Sequence, residues 1–589
     1  ASGAADTTFT VDRSLRFDPN DTYMERTPSS AGNRRTFTIS LWFKLGILKE
    51  YSGSDGRTLF GSGGGGAGSS ATNISLLADA YGGPRLDFLS MLGAASGSNY
   101  IRLTTNAFIR DPSAWYHVVV KVDTPQGNSP NRAKMYINGD EVSDWYNYDQ
   151  PDQNADTYMN VADKHGIGAN RTWANQNTKY NYFGGYIAEF HFLDGTAYDA
   201  SYFGETDSKT GQWIPKEYTG GNYGTNGFYL KFADNSGTTA TTLGKDSSGN
   251  SNNYTPYGFS VAAGTGNDSL EDTPTNNFCT LNPLDKTNGA SLREGALTLY
   301  TDSNDQAVTG TFAVNSGKWY WEVDMNTTEP EIGIAHHNMP LSGKSISTGT
   351  DGQIAFIVAG ADGNSNFLRV DGNTQSGTGI TAQSGPGTIG IALDADNKKI
   401  WFTNTSGSFF NSGNPATGAN AAVDFSSTGP NYPTGFVTPF VSIYQGAGNT
   451  TSINFGQRAF SYTAPTGFKK LNSANLPDPT IVLPDKHFDL LLYTGTDSAA
   501  SRTLTGLNFS PDWVWQKRRN GTNWNTLHDT VRGVGKTLYS NDTSVDTTNN
   551  QYGYISAFTS DGFTWSPGST NNSDGNHTGG TYVSWYWNA

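Results

Sequence analysis

The residues with the clearest chemical potential stand in one strand-like segment, Gly185–Asp194. Within it, Glu189 and His191 are two positions apart, so on an extended chain both side chains project from the same face. A glycosidase works with two carboxylates, and a sandwich-type glucanase would carry them as Glu-x-Asp-x-x-Glu. Here the segment reads Glu189-Phe190-His191-Phe192-Leu193-Asp194, which lacks the second carboxylate. A structural strand is therefore the favoured interpretation, and a glycan depolymerase is the alternative.

Metal and cofactor motifs are weak. Asp394-Ala395-Asp396-Asn397 resembles the start of a calcium loop, but it lacks glycine at the sixth position and glutamate at the twelfth, so a hairpin turn is favoured. The single cysteine, Cys279, allows neither a thiolate metal cluster nor an intramolecular disulfide. We expect no cofactor and no metal site, and calcium has no ligand motif to support it.

Aromatic side chains in polar, irregular sequence are the best binding candidates. Asp144–Gly166 is a long polar segment, and an Asn-rich stretch follows it. Aromatic faces stack on the C–H faces of sugars, while amides and carboxylates bind sugar hydroxyls. The candidate glycan- or partner-binding residues are Trp145, Tyr146, Tyr148, Trp173, Asn175, Tyr180, Tyr182, His336 and His337. Anchoring of a long loop or burial in a subunit interface is an equally favoured interpretation.

Three pairs of tryptophans stand two positions apart on strand-like segments, so each pair shares a face. The pairs are Trp319 with Trp321, Trp513 with Trp515, and Trp585 with Trp587. Such pairs usually belong to the core, and we expect all three to be buried.

These residues must be positioned by strands, because alternation of polar and apolar residues dominates the chain. Thr36–Phe43 and Trp115–Val122 alternate as half-buried strands should. Clusters of Gly, Asn, Asp, Ser, Thr and Pro between such segments supply turns, and no helical periodicity exceeds two turns. The pattern predicts an all-β chain of tandem antiparallel β-sandwiches, two of them jelly rolls and a smaller one at the C-terminal end.

Composition excludes several classes of protein. The 589 residues carry a net charge of -15, with 15% charged and 13% aromatic residues and 70 glycines. So many aromatics argue against disorder, and the acidic balance argues against a nucleic-acid binder. The sequence contains no run of 18 apolar residues, so it predicts no membrane-spanning helix. The N-terminus lacks the features of a signal peptide, and the chain stops within two residues of an aromatic strand. We therefore expect synthesis without a signal peptide, and a piece of a longer protein.

Shifts in composition divide the chain into five parts. The expected parts are a sandwich at 1–220, a Gly/Asn/Ser/Thr-rich connector at 221–275 running along the surface, a sandwich at 276–473, a proline-rich hinge at 474–484 and a β-module at 485–589.

The first and second sandwiches resemble known families. Residues 9–205 are similar to a laminin-G-like, concanavalin-A-type sandwich, as shown by Ser14–Phe17, Phe37–Phe43, Arg57–Gly61, Trp115–Val119, Lys134–Gly139 and Phe183–Phe190. Residues 277–471 resemble a SPRY domain, as shown by Gly317–Val323, Glu331–Ala335, Gly390–Asp394, Lys399–Asn404, Pro439–Val441 and Ile453–Phe460. The SPRY resemblance implies a binding module without chemistry.

The third part resembles a β-rich module of structural proteins from marine and cyanobacterial phages. The marks are Leu507–Lys517, Asp529–Gly533, Ser556–Phe563 and Tyr582–Trp585, and the connector Asp272–Phe278 is also similar to segments in those proteins. This resemblance implies a virion appendage or surface protein, such as a tail fibre.

Three functions follow as hypotheses. The first is a non-enzymatic virion adhesin, expected to be trimeric, that binds host surface glycans or a protein receptor along with other virion proteins. The second is a purely structural capsid-decoration or tail-spacer protein, in which the aromatic segments are buried between subunits. The third and least favoured is the glycan depolymerase, which needs two facing carboxylates. No interaction with nucleic acid and no membrane insertion are expected.

Overall fold

A computed structural model of the chain describes most of its residues. The described ranges are 9–46, 57–65, 70–77, 83–92, 100–172, 179–301, 303, 306–325, 330–339, 341, 353–357, 368–370, 373–374, 379–381, 383, 386–426, 433, 435–443, 448–478, 481–496 and 499–588. The fold is all-β, as the sequence predicts, and its sheets are almost entirely antiparallel. Within the described ranges the helical turns are short 3-10 turns, at Ser129–Asn131, Ala200–Tyr202, Phe410–Ser412, Ser473–Asn475 and Pro484–Lys486.

The first sandwich consists of two large sheets that enclose an apolar core. Its strands are β1 (Ser14–Phe17), β2 (Tyr23–Arg26), β3 (Thr36–Leu45), β4 (Arg57–Gly65), β5 (Ala71–Leu77), β6 (Arg85–Met91), β7 (Ile101–Thr105), β8 (Trp115–Asp123), β9 (Ala133–Ile137), β10 (Asp140–Glu141), β11 (Trp145–Asp149), β12 (His165–Ile167), β13 (Asn170–Thr172), β14 (Lys179–Tyr180), β15 (Gly185–Asp194), β16 (Gly204–Thr206), β17 (Trp213–Pro215), β18 (Phe228–Leu230), β19 (Thr255–Tyr257) and β20 (Ser269–Leu270). One sheet runs β10-β9-β8-β3-β15-β1-β20 with β18 added to β15, and the other runs β11-β7-β6-β5-β4-β12-β2-β19.

The sheet that contains β3, β8 and β15 is buried on both faces of its central strands, and we call it the inner sheet; the sheet from β11 to β19 is the outer sheet. Alternate residues of β3 from Phe37 to Leu45 and of β8 from Val118 to Val122 fill the core between the sheets. Ser40, Lys44 and His117 point away from this core and are nevertheless fully buried. The expectation of half-buried strands is therefore wrong for β3. A second layer covers the outer face, made partly of residues 198–206 and 213–232 and partly of the second sandwich. The polar side chains of β3 therefore form hydrogen bonds with protein groups rather than with water.

The segment 221–275 is built into the first sandwich. It supplies β18, β19 and β20, which pair with β15, β2 and β1 respectively. Phe228, Leu230 and Tyr254 from this segment lie in the core between the sheets. The expected course along the surface is therefore wrong for these strands. Short apolar stretches among many turn residues form strands that pair with the unpaired backbone groups of β15, β2 and β1. The domain boundaries themselves stay a prediction.

The second sandwich contains two seven-stranded sheets. Its strands are β21 (Leu281–Lys286), β22 (Ala290–Arg293), β23 (Thr298–Thr301), β24 (Gln306–Gly310), β25 (Lys318–Met325), β26 (Pro330–His336), β27 (Gln353–Ile357), β28 (Leu368–Val370), β29 (Asn373–Thr374), β30 (Gly387–Asp394), β31 (Lys399–Phe402), β32 (Val423–Asp424), β33 (Val437–Ile443) and β34 (Asn449–Asn454). The sheets run β21-β24-β33-β26-β27-β28-β29 and β22-β23-β34-β25-β30-β31-β32. Trp319 and Trp321 of β25 are 2% and 1% exposed, so this pair lies in the core as expected.

The two sandwiches share one apolar cluster. Trp42, Trp115 and Tyr186 of the first sandwich belong to the same cluster as the core of the second. Beside them the side chains of Lys44 and Asp272 form a fully buried ion pair, with Nζ 2.9 Å from Oδ2. Contacts accordingly place Ala1–Thr206 and Trp213–Asp478 in one compact unit.

The second compact unit comprises Asp207–Gln212 and Pro479–Ala589. Its strands are β35 (Phe488–Thr494), β36 (Arg502–Thr505), β37 (Trp513–Arg518), β38 (Thr526–Asp529), β39 (Lys536–Tyr539), β40 (Thr547–Thr548), β41 (Tyr554–Thr559), β42 (Gly562–Ser566) and β43 (Thr581–Trp587). A sheet of order β35-β43-β37-β38-β39-β40 packs on a three-stranded sheet of order β36-β42-β41. In the described part of the chain, no helix is long and apolar enough to cross a membrane.

The tryptophan pairs of the second unit face outward. Its core contains Val514, Tyr582 and Tyr586, whose positions alternate with the tryptophans of β37 and β43. Both pairs, Trp513 with Trp515 and Trp585 with Trp587, are only half-buried. Burial in the core was therefore the wrong expectation for these two pairs, because the residues of opposite parity face the three-stranded sheet.

Candidate functional site

The aromatic candidates after residue 144 lie on an edge strand. Trp145–Asp149 form β11, which pairs with β7 at the end of the outer sheet and carries a bulge between Trp145 and Asn147. The expectation of irregular structure is wrong at this point, because the short Trp-Tyr-Asn-Tyr-Asp run completes the sheet edge. The bulge changes the alternation of faces and brings the rings of Trp145 and Tyr148 into a stack with centroids 5.5 Å apart.

The resulting tyrosine edge (Trp145, Tyr146 and Tyr148) combines anchored and exposed rings. Trp145 packs against the core, whereas Tyr146 and Tyr148 are 50% and 44% exposed. The guanidinium of Arg85 lies 4.7 Å from the Tyr146 ring centroid and 4.1 Å from that of Phe108. This cation–π contact holds the Tyr146 ring in place.

Polar groups border the tyrosine edge. Asn147 donates a hydrogen bond from Nδ2 to Thr104 Oγ1 (3.0 Å), and Asn106 Nδ2 donates to Asp144 Oδ2 (3.2 Å). The edge therefore presents aromatic faces beside exposed amide and carboxylate groups, which is the combination that binds sugar rings and their hydroxyls.

The remaining candidates of the first sandwich do not all join this edge. Trp173 and Asn175 lie outside the described residues, and Tyr180 is placed only by its backbone, in β14 opposite Asn170. Tyr182 lies on a different surface, with its ring 6.2 Å from that of Tyr23.

The surface around Tyr182 contains residues that sequence reasoning missed. Tyr23 stacks on the 41% exposed Tyr257 with centroids 4.7 Å apart. Gly258, the next residue in the chain, lines a polar cleft of about 560 Å³. The charged residues that line this cleft are Arg16, Asp18, Asp21, Asp268, Arg293 and Glu294. No sequence signal joins Tyr23 to Tyr257, because β2 and β19 meet only when the 221–275 segment folds back onto the sheet.

The deepest charged group in the cleft is structural. Arg16 is 1% exposed, and its Nη2 forms ion pairs with Asp268 (2.9 Å) and Glu294 (2.6 Å). Burial raises the pKa of Asp268 to about 6, against the opposing effect of the Arg16 charge. The pair with Glu294 joins the first sandwich to the start of the second.

His336 and His337 stand at the end of β26 in the second sandwich, with ring centroids 4.7 Å apart. His337 also packs edge-on against Phe436, which is 45% exposed, at 5.9 Å. They form a small exposed group of their own, and no observation assigns a ligand to it.

Glu189 is buried in a cluster of rings. It occupies a bulge with φ 47°, where β15 changes its neighbour from β1 to β18. Glu189 Oε2 accepts a hydrogen bond of 2.5 Å from the hydroxyl of Tyr229 and lies 3.8 Å from His191 Nε2. Burial lowers the pKa of His191 and, together with the Glu189 charge, raises that of Tyr229. The carboxylate is 5% exposed and engaged within the protein, as the structural interpretation requires.

The hydrogen bond between Ser40 and His117 runs in the wrong direction for nucleophilic catalysis. His117 Nδ1 accepts a hydrogen bond from Trp213 Nε1 (3.0 Å), and indole nitrogen can only donate. The neutral ring must then carry its proton on Nε2, which lies 2.8 Å from Ser40 Oγ and donates to it. Burial lowers the pKa of His117 to about 3. His117 therefore cannot accept a proton from Ser40.

Among the described residues, no group of three or more His, Cys, Asp or Glu side chains could hold a metal ion. Asp394 begins the hairpin between β30 and β31, as the turn interpretation requires. Its two carboxylate oxygens bind Asn397, through the backbone N–H and Nδ2 at 2.9 Å each, and Lys318 lies 3.2 Å away.

Three segments of the chain match family models. Residues 18–200 match a family model described as the concanavalin A-like lectin/glucanases superfamily, and residues 318–458 match the SPRY domain. Residues 483–589 match a domain of unknown function, DUF7483. No curated protein matches the chain.

Solved structures similar to this chain include two SPRY domains. The TRIM65 PSpry domain is 15% identical, with a TM-score of 0.23, and the match covers 30% of this chain and 88% of that one. The SPRY domain of human HERC1 is 14% identical, with a TM-score of 0.21, and the match covers 30% and 96% respectively. The expected concanavalin-A-like and SPRY domains are confirmed by the family models, and together they indicate a carbohydrate- or protein-binding module.

Proposed function

We propose that the chain is a non-enzymatic adhesin on the exterior of a virus particle, a phage tail fibre or similar appendage, that binds glycans of the host surface. The observation that carries glycan binding is the tyrosine edge, where two tyrosines about half exposed stand beside amide and carboxylate groups on a rigid sheet. Rings held by Trp145 and Arg85 lose little freedom on binding, so stacking on a sugar costs little entropy.

The geometry of the two strongest catalytic candidates supports a role without catalysis. Glu189 is buried against Tyr229, and the tautomer of His117 points its proton at Ser40. The placement on a virion is supported by the resemblance of the C-terminal part to phage structural proteins.

A glycan array with the recombinant chain tests the binding. We expect Tyr146→Ala combined with Tyr148→Ala to abolish binding, since stacking on aromatic rings would be lost. The matched control is Tyr202→Ala, because Tyr202 is 39% exposed and stacked on Tyr198 in the same sandwich. No binding by the parent chain on the array or to whole cells would refute the proposal, as would binding that the double variant retains.

A purely structural role is the second candidate, and the cluster shared by the two sandwiches favours it. Two sandwiches fixed in one compact unit make a stiff spacer. A reconstruction of the intact particle separates the two functions. Binding requires the tyrosine edge to face outward, whereas a spacer would bury it between subunits.

A further inference from the structure

In the described part of the second unit, one face of the sheet β35-β43-β37 exposes a row of large apolar side chains. Its members are Phe488, Leu490, Leu492, Trp513, Trp515, Val583, Trp585 and Trp587, and we call this set the tryptophan face. The register aligns them in rows across the three strands, so that Phe488, Trp587 and Trp513 are direct neighbours, as are Leu490, Trp585 and Trp515. In the third row Val583 lies between Leu492 and Lys517, so Lys517 marks the polar margin of the face. The opposite face of the same strands packs on the core.

The ring geometry argues against a sugar-binding platform. Trp513 and Trp587 have centroids 4.3 Å apart, and Trp515 and Trp585 have centroids 5.2 Å apart. The ring planes within the two pairs are tilted by 36° and 42°, so neither pair forms a flat platform for a sugar ring. The other four members, Phe488, Leu490, Leu492 and Val583, carry no group that could bind sugar hydroxyls. An apolar protein surface is the better fit.

The area matches that of a protein interface. Phe488, Leu490 and Leu492 are 42%, 48% and 55% exposed. At roughly 200 Å² for a fully accessible side chain of this size, the three leave on the order of 300 Å². The half-buried tryptophans and Val583 bring the tryptophan face to about 500 Å², at the upper end for a monomer surface. A homodimer interface of about 800 Å² per partner, two thirds of it apolar, needs about this much.

We propose that the tryptophan face binds the same face of a second copy of this chain, which makes a dimer in place of the trimer expected of a virion adhesin. Two sheets packed face to face lie about 10 Å apart and bury both sets of side chains, and a self-complementary patch generates a two-fold axis. Each copy carries a net charge of -15, while the eight members of the face are uncharged and the charged Lys517 lies only at its margin. Apolar burial therefore acts against a general repulsion, and association strengthens as salt screens that repulsion.

Light scattering coupled to size exclusion tests the proposal on the full chain. We expect the parent chain to have twice the mass of the 63.3 kDa chain, with dissociation on dilution and less dissociation in 0.5 M salt than at low salt. Leu490→Asp combined with Leu492→Asp should give the single-chain mass, because four carboxylates would then be buried in the interface. The matched control is Val531→Asp, since Val531 is 94% exposed in the same unit but lies outside the face.

Fluorescence provides a second readout on the same samples. Tryptophan emission of the parent chain should shift to shorter wavelength with increasing concentration, and the double aspartate variant should show no such shift. Both substitutions are at exposed positions, so thermal unfolding of the variant should match that of the control. A single-chain mass of the parent at 100 µM would overturn the proposal, as would a three-copy mass or an oligomer that the double variant leaves intact.

Discussion

Replacing Lys44 with methionine should destabilise the tandem sandwich far more than the loss of a surface charge. The Lys44 ammonium is completely buried and donates to Asp272 Oδ2 (2.9 Å), Asn277 Oδ1 (2.7 Å) and the carbonyl of Phe278 (3.0 Å). Asp272 Oδ1 in turn accepts from the indole of Trp115 (3.0 Å) and the backbone N–H of Phe278 (3.2 Å). This pair fixes the segment that leads into the second sandwich to strand β3 of the first.

The expected magnitude follows from the burial. Lys44→Met leaves the Asp272 carboxylate in the interior without its counter-charge, which costs about 3–5 kcal/mol. A cooperative unit of about 470 residues has an unfolding entropy of roughly 1 kcal/mol/K, so the melting temperature should fall by about 4 °C. The fall would be larger if the two sandwiches unfolded separately, because each has a smaller unfolding entropy.

Two further variants separate charge burial from other effects. Adding Asp272→Asn to Lys44→Met removes both charges and keeps the Oδ1 acceptor, so about half of the lost stability should return. Lys470→Met breaks the Lys470–Glu271 pair, which also joins the two sandwiches but is 35% and 40% exposed, and should cost less than 1 kcal/mol.

Differential scanning calorimetry at pH 7 is the assay, followed through the transition of the unit that contains both sandwiches. If Lys44→Met shifts this transition no more than Lys470→Met does, burial of the ion pair does not set the cost. If the double variant is less stable than Lys44→Met alone, the loss does not arise from an unpaired buried carboxylate.

The other predictions concern buried titratable groups. Burial lowers the pKa of His117 to about 3 and that of His165, whose Nε2 accepts from the backbone N–H of Asn160, to about 4. The unfolded chain therefore takes up these protons first, and stability present above pH 6.5 is lost as the pH falls; at pH 5 each histidine costs about 2 kcal/mol. His117→Asn should flatten the pH dependence of urea unfolding between pH 7 and 5, and an unchanged slope would contradict this. Glu189→Gln keeps an acceptor for Tyr229, so it should cost less than Glu189→Ala, for which we expect a loss of about 1–3 kcal/mol in the same measurement. Equal losses would show that the hydrogen bond of Glu189 is not what matters.

The alternation of residues predicted the strands and the sandwich class, but it could not predict which faces are covered. Trp319 with Trp321 and Trp585 with Trp587 stand in the same pattern, yet the first pair is in a core and the second faces outward. Spacing determines which side chains share a face of a strand. Whether another layer covers that face depends on residues far away in the sequence.

The same limit applies to the polar residues and to the candidate site. Lys44 reads as a solvent-facing position, and its partner Asp272 is 228 residues away. Trp145, Tyr146 and Tyr148 could be selected from their types and polar neighbours alone. Their position on an edge strand could not, because it depends on pairing with β7 across more than forty residues of chain.

We propose that the chain binds a host surface glycan and leaves it intact. To test both parts at once, the immobilised chain is incubated with purified host-surface polysaccharide, and the polysaccharide retained on the chain is measured together with the reducing ends released into solution. We expect saturable retention, lost in the Tyr146→Ala, Tyr148→Ala variant, and no increase in reducing ends. An increase in reducing ends over time, or no retention of any host polysaccharide, would contradict this proposal.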